Sequence, residues 1–365
     1  MIFSKEEILK VLSTVEDPDL KQDLVSLGMI SNITIDGNKI SFTVTLTTPA
    51  CPLKELIKKN CIDAIHALVS HQAEVNIVMD AKVTTLRDRD NILAGVKNII
   101  AVASGKGGVG KSTVAVNLAL GLAKKGSKVG IIDADIYGPS IPIMLNIKGE
   151  RPRVREENGK HLMQPIETYG IKALSIGLLI DEEQAVVWRG PMVSSALRQF
   201  MTDAEWGDLD YLVIDLPPGT GDIQLTLVQL VPLTGVVIVT TPQDVALADA
   251  RKAIGMFSIL PINVPVLGVI ENMAYFTPAE LPENKYYIFG KGGGHKLAHQ
   301  YNVPFLGEVP IVQSIREGGD SGVPAVLDQN SIVGNIFSGL SDQVARQVAI
   351  RNANIPVTEV VKMNS

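Results

Sequence analysis

Residues Gly105-Lys-Gly-Gly-Val-Gly-Lys-Ser-Thr113 fill the pattern G-x-x-x-x-G-K-[ST] at Gly105, Gly110, Lys111 and Ser112. The chemistry of that spacing is phosphate binding. Across Gly105, Lys106, Gly107, Gly108, Val109 and Gly110, small residues let successive backbone N–H groups converge on phosphate oxygens. Lys111 then reaches the outer phosphates, and the hydroxyl of Ser112, with Thr113 next to it, can ligate Mg²⁺. A helix opening at Lys111 adds the positive end of its dipole. ATP and Mg²⁺ are therefore the expected cofactors.

Such chemistry needs carboxylates nearby. Ile132-Asp-Ala-Asp135 carries two acids two residues apart, on one side of the chain if it stays extended. Asp133 fits a phosphate-facing role and an ordinary turn cap equally well. Tyr211-Leu-Val-Ile-Asp215 reads as a buried strand ending in an acid placed to hold a metal-bound water. The Gly219-Thr-Gly221 turn after it is a plausible γ-phosphate switch.

The elements that must position these residues follow from hydrophobic pattern. From Lys97 to about residue 350, apolar strands (Ile99-Ala103, Lys128-Asp133, Ile171-Ile176, Leu212-Asp215, Val236-Thr240, Val266-Ile270 and Phe305-Val309) alternate with helices. That predicts an α/β fold, a mostly parallel sheet covered on both faces by helices, with its ligand at the carboxyl ends of the strands. Lys148 to Gly170 is charged and proline-interrupted, an insertion of uncertain structure. Residues 1–85 predict a separate small α+β domain: helix Ser4-Leu12, strand Met29-Ile35, an Asp36-Gly37-Asn38 turn, strand Lys39-Leu46, helix Pro52-Ser70 and strand Glu74-Met79. A charged linker is placed at 86–96 and a loose tail at 351–365.

Composition narrows the classes. With 365 residues, 46% of them hydrophobic, the chain can fill two cores. A net charge of −6 gives no general attraction to nucleic acid or anionic lipid, so neither is an expected partner. The N-terminus lacks the basic-then-apolar pattern of a secretory leader. The apolar stretch Leu225-Val239 is interrupted by Gln229, Pro232 and Thr234 and is short for a bilayer. The expectation is a cytoplasmic protein in which Cys51 and Cys61 are thiols rather than a bridge.

Lys106, an extra cation inside the loop, resembles the signature lysine of the deviant Walker A ATPases related to MinD, ParA, ArsA and the nitrogenase iron protein. The resemblance implies an ATP-dependent homodimer in which Lys106 reaches the partner's phosphates. Asp133-Ala-Asp-Ile-Tyr-Gly-Pro-Ser140, Trp188-Arg-Gly-Pro191, Asp215-Leu-Pro-Pro-Gly-Thr-Gly-Asp222, Thr241-Pro-Gln243, Glu271-Asn-Met273, Ile288-Phe-Gly290 and Gly292-Gly-Gly294 together resemble the Mrp/ApbC family of iron-sulfur cluster carrier ATPases, over about residues 95–345. Glu16-Asp-Pro-Asp-Leu20, Leu24-Val-Ser-Leu-Gly28 and Leu46-Thr-Thr-Pro-Ala-Cys-Pro-Leu53 are similar to the PaaD-like metal-sulfur cluster assembly domain. The resemblance implies that Lys111, Ser112 and Thr113 bind phosphate and Mg²⁺, that Asp135 positions the attacking water, that Asp215 supports the metal and that Asn272 contacts adenine. It implies a carrier that loads clusters onto apoproteins and works with iron-sulfur assembly proteins.

The resemblance stops at one place. Where the family has Cys-Pro-x-Cys, this chain reads Tyr275-Phe-Thr-Pro-Ala-Glu280, with Thr277 and Glu280 at the cysteine positions. Hydroxyl and carboxylate do not suit a soft iron-sulfur site, so a cluster shared between two ATPase domains does not carry over. Cluster chemistry would fall to Cys51, which Pro52 at a first helical position would make the cap of a helix and hence a low-pKa thiolate. Cys61 shares a face with Ile57, Ala64 and Leu68 and is assigned to the core. His295 and His299, four apart, have no third ligand near in sequence and read as surface residues. Two other classes compete: a positioning ATPase, for which the tail 351–365 has scant basic charge, and a small-molecule kinase, which needs an acceptor pocket.

Overall fold

The computed structural model describes residues 3–358 apart from 88–91, 137, 158, 180–189, 261, 279 and 282. Two compact units divide the chain, one formed by residues up to Thr84 with Ala349–Ile355, the other by Thr85–Val348 and the residues from Pro356.

In the first unit the order is α1 (Lys5–Leu12), a two-residue ladder of β1 (Glu16–Asp17) and β2 (Gln22–Asp23), β3 (Ile30–Asp36), β4 (Lys39–Leu46), α2 (Lys54–Leu68) and β5 (Glu74–Ala81). β3 and β4 form an antiparallel hairpin closed at Asp36 and Lys39, with Gly37 left-handed as its turn requires. β5 returns parallel to β4 after α2. Alternation decides the packing: Ile40, Phe42, Val44 and Leu46 of β4 are all buried, and Ile57, Cys61 and Ile65 of α2 lie against them. α1 starts in a capping box between Ser4 and Glu7.

The second unit runs β6 (Val96–Ala103), α3 (Lys111–Lys124), β7 (Val129–Asp133), α4 (Ile141–Met144), β8 (Arg153–Glu157), β9 (Lys160–Gln164), β10 (Ile166–Thr168), β11 (Ile171–Ser175), α5 (Gly190–Thr202), β12 (Leu209–Asp215), α6 (Asp222–Leu230), β13 (Gly235–Thr240), α7 (Asp244–Ser258), β14 (Val266–Phe276), α8 (Gly293–Gln300), β15 (Phe305–Ile311), α9 (Gln313–Ser321) and α10 (Ile332–Asn354). Its eight-stranded sheet has the order β10-β11-β7-β12-β6-β13-β14-β15. Every pairing is parallel except the short β10 against β11. β7 and β13 are buried at every position, as a sheet covered on both faces demands.

In the insertion whose structure the sequence left open, β8 and β9 form a hairpin, and β10 extends the sheet. The structure also differs from the sequence expectation at the linker and the tail. At the two ends of the segment expected as a linker, the Arg87 guanidinium donates to the carbonyls of Ile92, Leu93 and Val96. Burial draws the Arg87 pKa down to about 10. The chain from Arg351 to Asn354 is helix rather than loose tail; Arg351 and Asn352 are buried, and Asn352 Nδ2 donates to the Thr84 carbonyl at 3.1 Å. No helix among the described residues is long and apolar enough to cross a membrane.

Phe42 is 1% exposed at the centre of the first core. Phe42→Ala is expected to destabilise that unit by about 3–5 kcal/mol. Hydrogen exchange along residues 30–81 would report it, and unchanged protection there would contradict the packing described.

Candidate functional site

The glycine-rich loop leaves β6 at the carboxyl edge of the sheet, and β12 and β7 end beside it with Asp215 in register with both Val102 and Asp133. Two close approaches explain two of the glycines. A Cβ on Gly105 would overlap the backbone of Asp249 and Ala250, and one on Gly110 would overlap the Asn272 amide. Gly110 has φ 78° and caps α3.

At the start of α3, Lys111 turns onto the strand ends. Its Nζ lies 2.6 Å from Asp215 Oδ1 and 3.7 Å from Asp135 Oδ2, and donates to Ser112 Oγ at 3.3 Å. Lys111 is 6% exposed and Asp215 fully buried. Burial raises the Asp215 pKa and Lys111 opposes that rise. Asp215 Oδ2 is buried and has no hydrogen-bond partner among the described residues, an acceptor suited to the water shell of a divalent cation. Among the described residues three carboxyl groups, Asp133, Asp135 and Asp215, share the site with the Lys111 ammonium, which suits it further to a second positive charge. Thr113, half-buried, follows in the first turn of α3.

Asp133, left between two readings by sequence, is fully buried. It accepts from the Asp135 N–H at 3.1 Å, the Ile141 N–H at 3.3 Å and Ser175 Oγ at 2.9 Å. It shapes the chain that carries Asp135. Burial, with Asp215 adding to it, pushes its pKa up to about 8, against the pull of those donors and of Lys111.

Gln224, which pattern reading did not single out, braces the turn after β12: buried, its Nε2 donates to the carbonyls of Pro217 at 2.8 Å and Gly219 at 3.0 Å. A glutamine on a helix carries no signal by itself, so only packing reveals it. Lys106 is half-exposed and makes no ion pair among the described residues. Beside Gly110 and Thr113 opens a cavity of about 680 Å³ whose wall includes Ile143, Asn272, Met273, Phe289 and Ile311. Its size and apolar lining suit a flat heterocycle.

Other expectations land elsewhere. Cys51 lies in the first unit, half-buried, but α2 begins only at Lys54 with Leu53 as its cap. The Cys51 carbonyl, not its thiol, accepts the Lys54 N–H, because the chain turns once more before the helix starts. Burial pushes the Cys61 thiol up to about 12, which agrees with a core role. Of its expected neighbours, Ile57 is buried beside it but Leu68 is 62% exposed. Thr277 and Glu280 follow β14, and His295 and His299 are exposed on α8. Trp188 and Arg189 lie outside the described residues. Among the described residues no group of three or more His, Cys, Asp or Glu side chains is arranged to ligate a metal ion directly.

Comparison with known proteins matches residues 95–345 to the family described as NUBPL iron-transfer P-loop NTPase, and residues 5–77 to that described as iron-sulfur cluster assembly protein. The iron-sulfur cluster carrier protein of Synechocystis is 47% identical over 96% of this chain and 99% of its own length. That of Escherichia coli is 44% identical over 94% of this chain and 92% of its own. A solved nucleotide-binding protein from Archaeoglobus fulgidus, in complex with ADP, is 39% identical over 66% of this chain and 93% of its own, with a TM-score of 0.56.

A carboxyl whose folded pKa stands above its unfolded value contributes stability that is complete below about pH 4 and lost as pH rises through the folded pKa. Asp133 therefore makes the second unit progressively less stable as pH rises from about 4 to about 8. Asp133→Asn, uncharged throughout, is expected to flatten that decline in melting temperature. An equal decline in both proteins would place the titrating group elsewhere.

Proposed function

This chain belongs to the iron-transfer P-loop NTPase family, and from that premise we propose that it is an ATP-hydrolysing iron-sulfur cluster carrier that delivers clusters to apoproteins through a nucleotide-dependent homodimer. The observation that carries the nucleotide half is the Lys111, Asp135 and Asp215 constellation at the mouth of a phosphate loop, next to a cavity of nucleoside size. The cargo half rests on the family and on the iron-sulfur assembly module ahead of it in the chain.

In this reading the backbone N–H groups of Gly105 to Thr113 hold the phosphates, and Lys111 leaves Asp215 to neutralise the β- and γ-phosphate oxygens. Ser112 Oγ, and the freed Asp215 carboxylate through a water, would hold Mg²⁺, which would supply charge neutralisation on the phosphates. Asp135 orients the attacking water. Lys106, whose ammonium makes no ion pair among the described residues, reaches the phosphates of a second copy, and Asn272 borders the base.

Both cysteines of the chain precede residue 62, so the ATPase unit has no thiolate to offer a cluster. With Cys61 buried and strongly protonated, Cys51 is the one thiol per chain suited to iron. Clusters are ordinarily held by about four cysteines, so a cargo on Cys51 is completed by a second copy, the client or a small thiol.

Lys111→Ala is expected to lower ATP hydrolysis by at least about a hundredfold. Lys106→Ala should keep ATP binding while losing ATP-dependent dimerisation, read by phosphate release and light scattering; a full-rate Lys106→Ala dimer would sink the trans role. For the cargo, anaerobic reconstitution with iron and sulfide, followed by iron, sulfide and visible absorption, should load wild type and fail with Cys51→Ala. A wild type that takes up no cluster would leave an ATPase without the direct carrier role.

A further inference from the structure

A loop of glycines has little conformational preference of its own, so whatever orients its N–H groups must come from outside it. Two side chains do so here. Ser104 Oγ donates to the Lys106 carbonyl at 2.9 Å at one end, and Asn272 Nδ2 donates to the Val109 carbonyl at 2.8 Å at the other. We propose that Asn272 is a positioning residue for phosphate binding, which locks the Val109–Gly110 peptide and so ties the phosphate loop to the wall of the nucleoside cavity. The role rests on the nucleotide reading of this site.

The argument is geometric. In a trans peptide the carbonyl and N–H point in opposite directions, so holding the Val109 oxygen fixes where the Gly110 N–H points. Gly110 sits at φ 78°, where glycine alone moves freely, and rotation of the peptide ahead of it would replace that N–H by a carbonyl oxygen. Such a rotation would turn a phosphate donor into a repulsive dipole. Asn272 is 6% exposed and Val109 2%, so water does not compete effectively for the bond. The partner of the amide is a carbonyl oxygen, which assigns Nδ2 to the loop without ambiguity.

The backbone carries a second sign. Met273, directly after Asn272, has φ 55°, a left-handed conformation uncommon for a residue with a side chain. The register between β14 and β15 shifts after Asn272, from the Asn272–Val309 pair to the Phe276–Ile311 pair. The strand therefore leaves regular geometry where it aims Asn272 at the loop, a strain of the kind kept at functional sites. Asn272 and Met273 both border the cavity. Movement at the nucleoside end is thus transmitted through one amide to the phosphate end.

The test uses the full chain and a ligand without a base, Mg-tripolyphosphate, beside MgATP. Asn272→Asp keeps the shape but sets an acceptor against the Val109 carbonyl; Asn272→Ala removes the tether. Both are expected to weaken tripolyphosphate and ATP by comparable factors, at least about tenfold, in proteins whose circular dichroism matches wild type. Met273→Val should weaken tripolyphosphate binding more than Met273→Gly does, because only glycine keeps the left-handed backbone without strain. Tripolyphosphate binding unchanged in Asn272→Asp, with ATP binding reduced, would overturn the role and leave Asn272 a reader of the base alone. A wild type that binds neither ligand would sink the nucleotide reading itself and this role with it.

Discussion

The contact between Lys111 and Asp215 organises the ATPase unit. An ammonium at 2.6 Å from a fully buried carboxylate is stable only while both are held there together, since a buried charge left alone costs about 3–5 kcal/mol. Keeping them together requires α3 to start where β12 ends. That in turn requires β12 to lie between β7 and β6, with the loop folding over the edge of β6. Strand order, the phosphate loop and the acid cluster are three views of one constraint.

The same contact sets the electrostatics. If all were ionised, Asp133, Asp135 and Asp215 would carry more negative charge than Lys111 can balance. Burial then drives Asp133 and Asp215 toward their neutral forms. A site in that condition gains from any cation that enters with an anionic ligand, which is what a magnesium nucleotide provides. Gln224 and Asn272 act on the surrounding backbone rather than on charge, bracing the turn after β12 and the peptide before Gly110.

Much of this was legible in the sequence. Continuous apolar strands announced a parallel sheet because every position in β7 and β13 must be buried, and strand-end acids announced Asp215 because polar residues inside such strands are otherwise costly. The alternation in β4 and the Asp-Gly turn before it predicted the hairpin of the first unit. The loop motif is local: its function depends on residues adjacent in the chain, so spacing alone reveals it.

What spacing could not reveal involves partners distant in sequence. Nothing local says that Asn272 will hold the carbonyl of Val109, that Asp133 will take donors from Ser175 and Ile141, or that Arg351 and Asn352 will be buried at the end of α10 instead of trailing in solvent. The cap of α2 shows the same limit at short range: Pro52 can open a helix, yet a further turn puts Leu53 at the cap and moves Cys51 out of it. The sequence by itself determined the phosphate loop, the parallel sheet and the confinement of both cysteines to the first 61 residues. The tertiary structure decided which carboxylates meet, which amide steadies the loop and which thiol is buried, because those depend on strand order and packing, which bring together residues the chain itself keeps far apart.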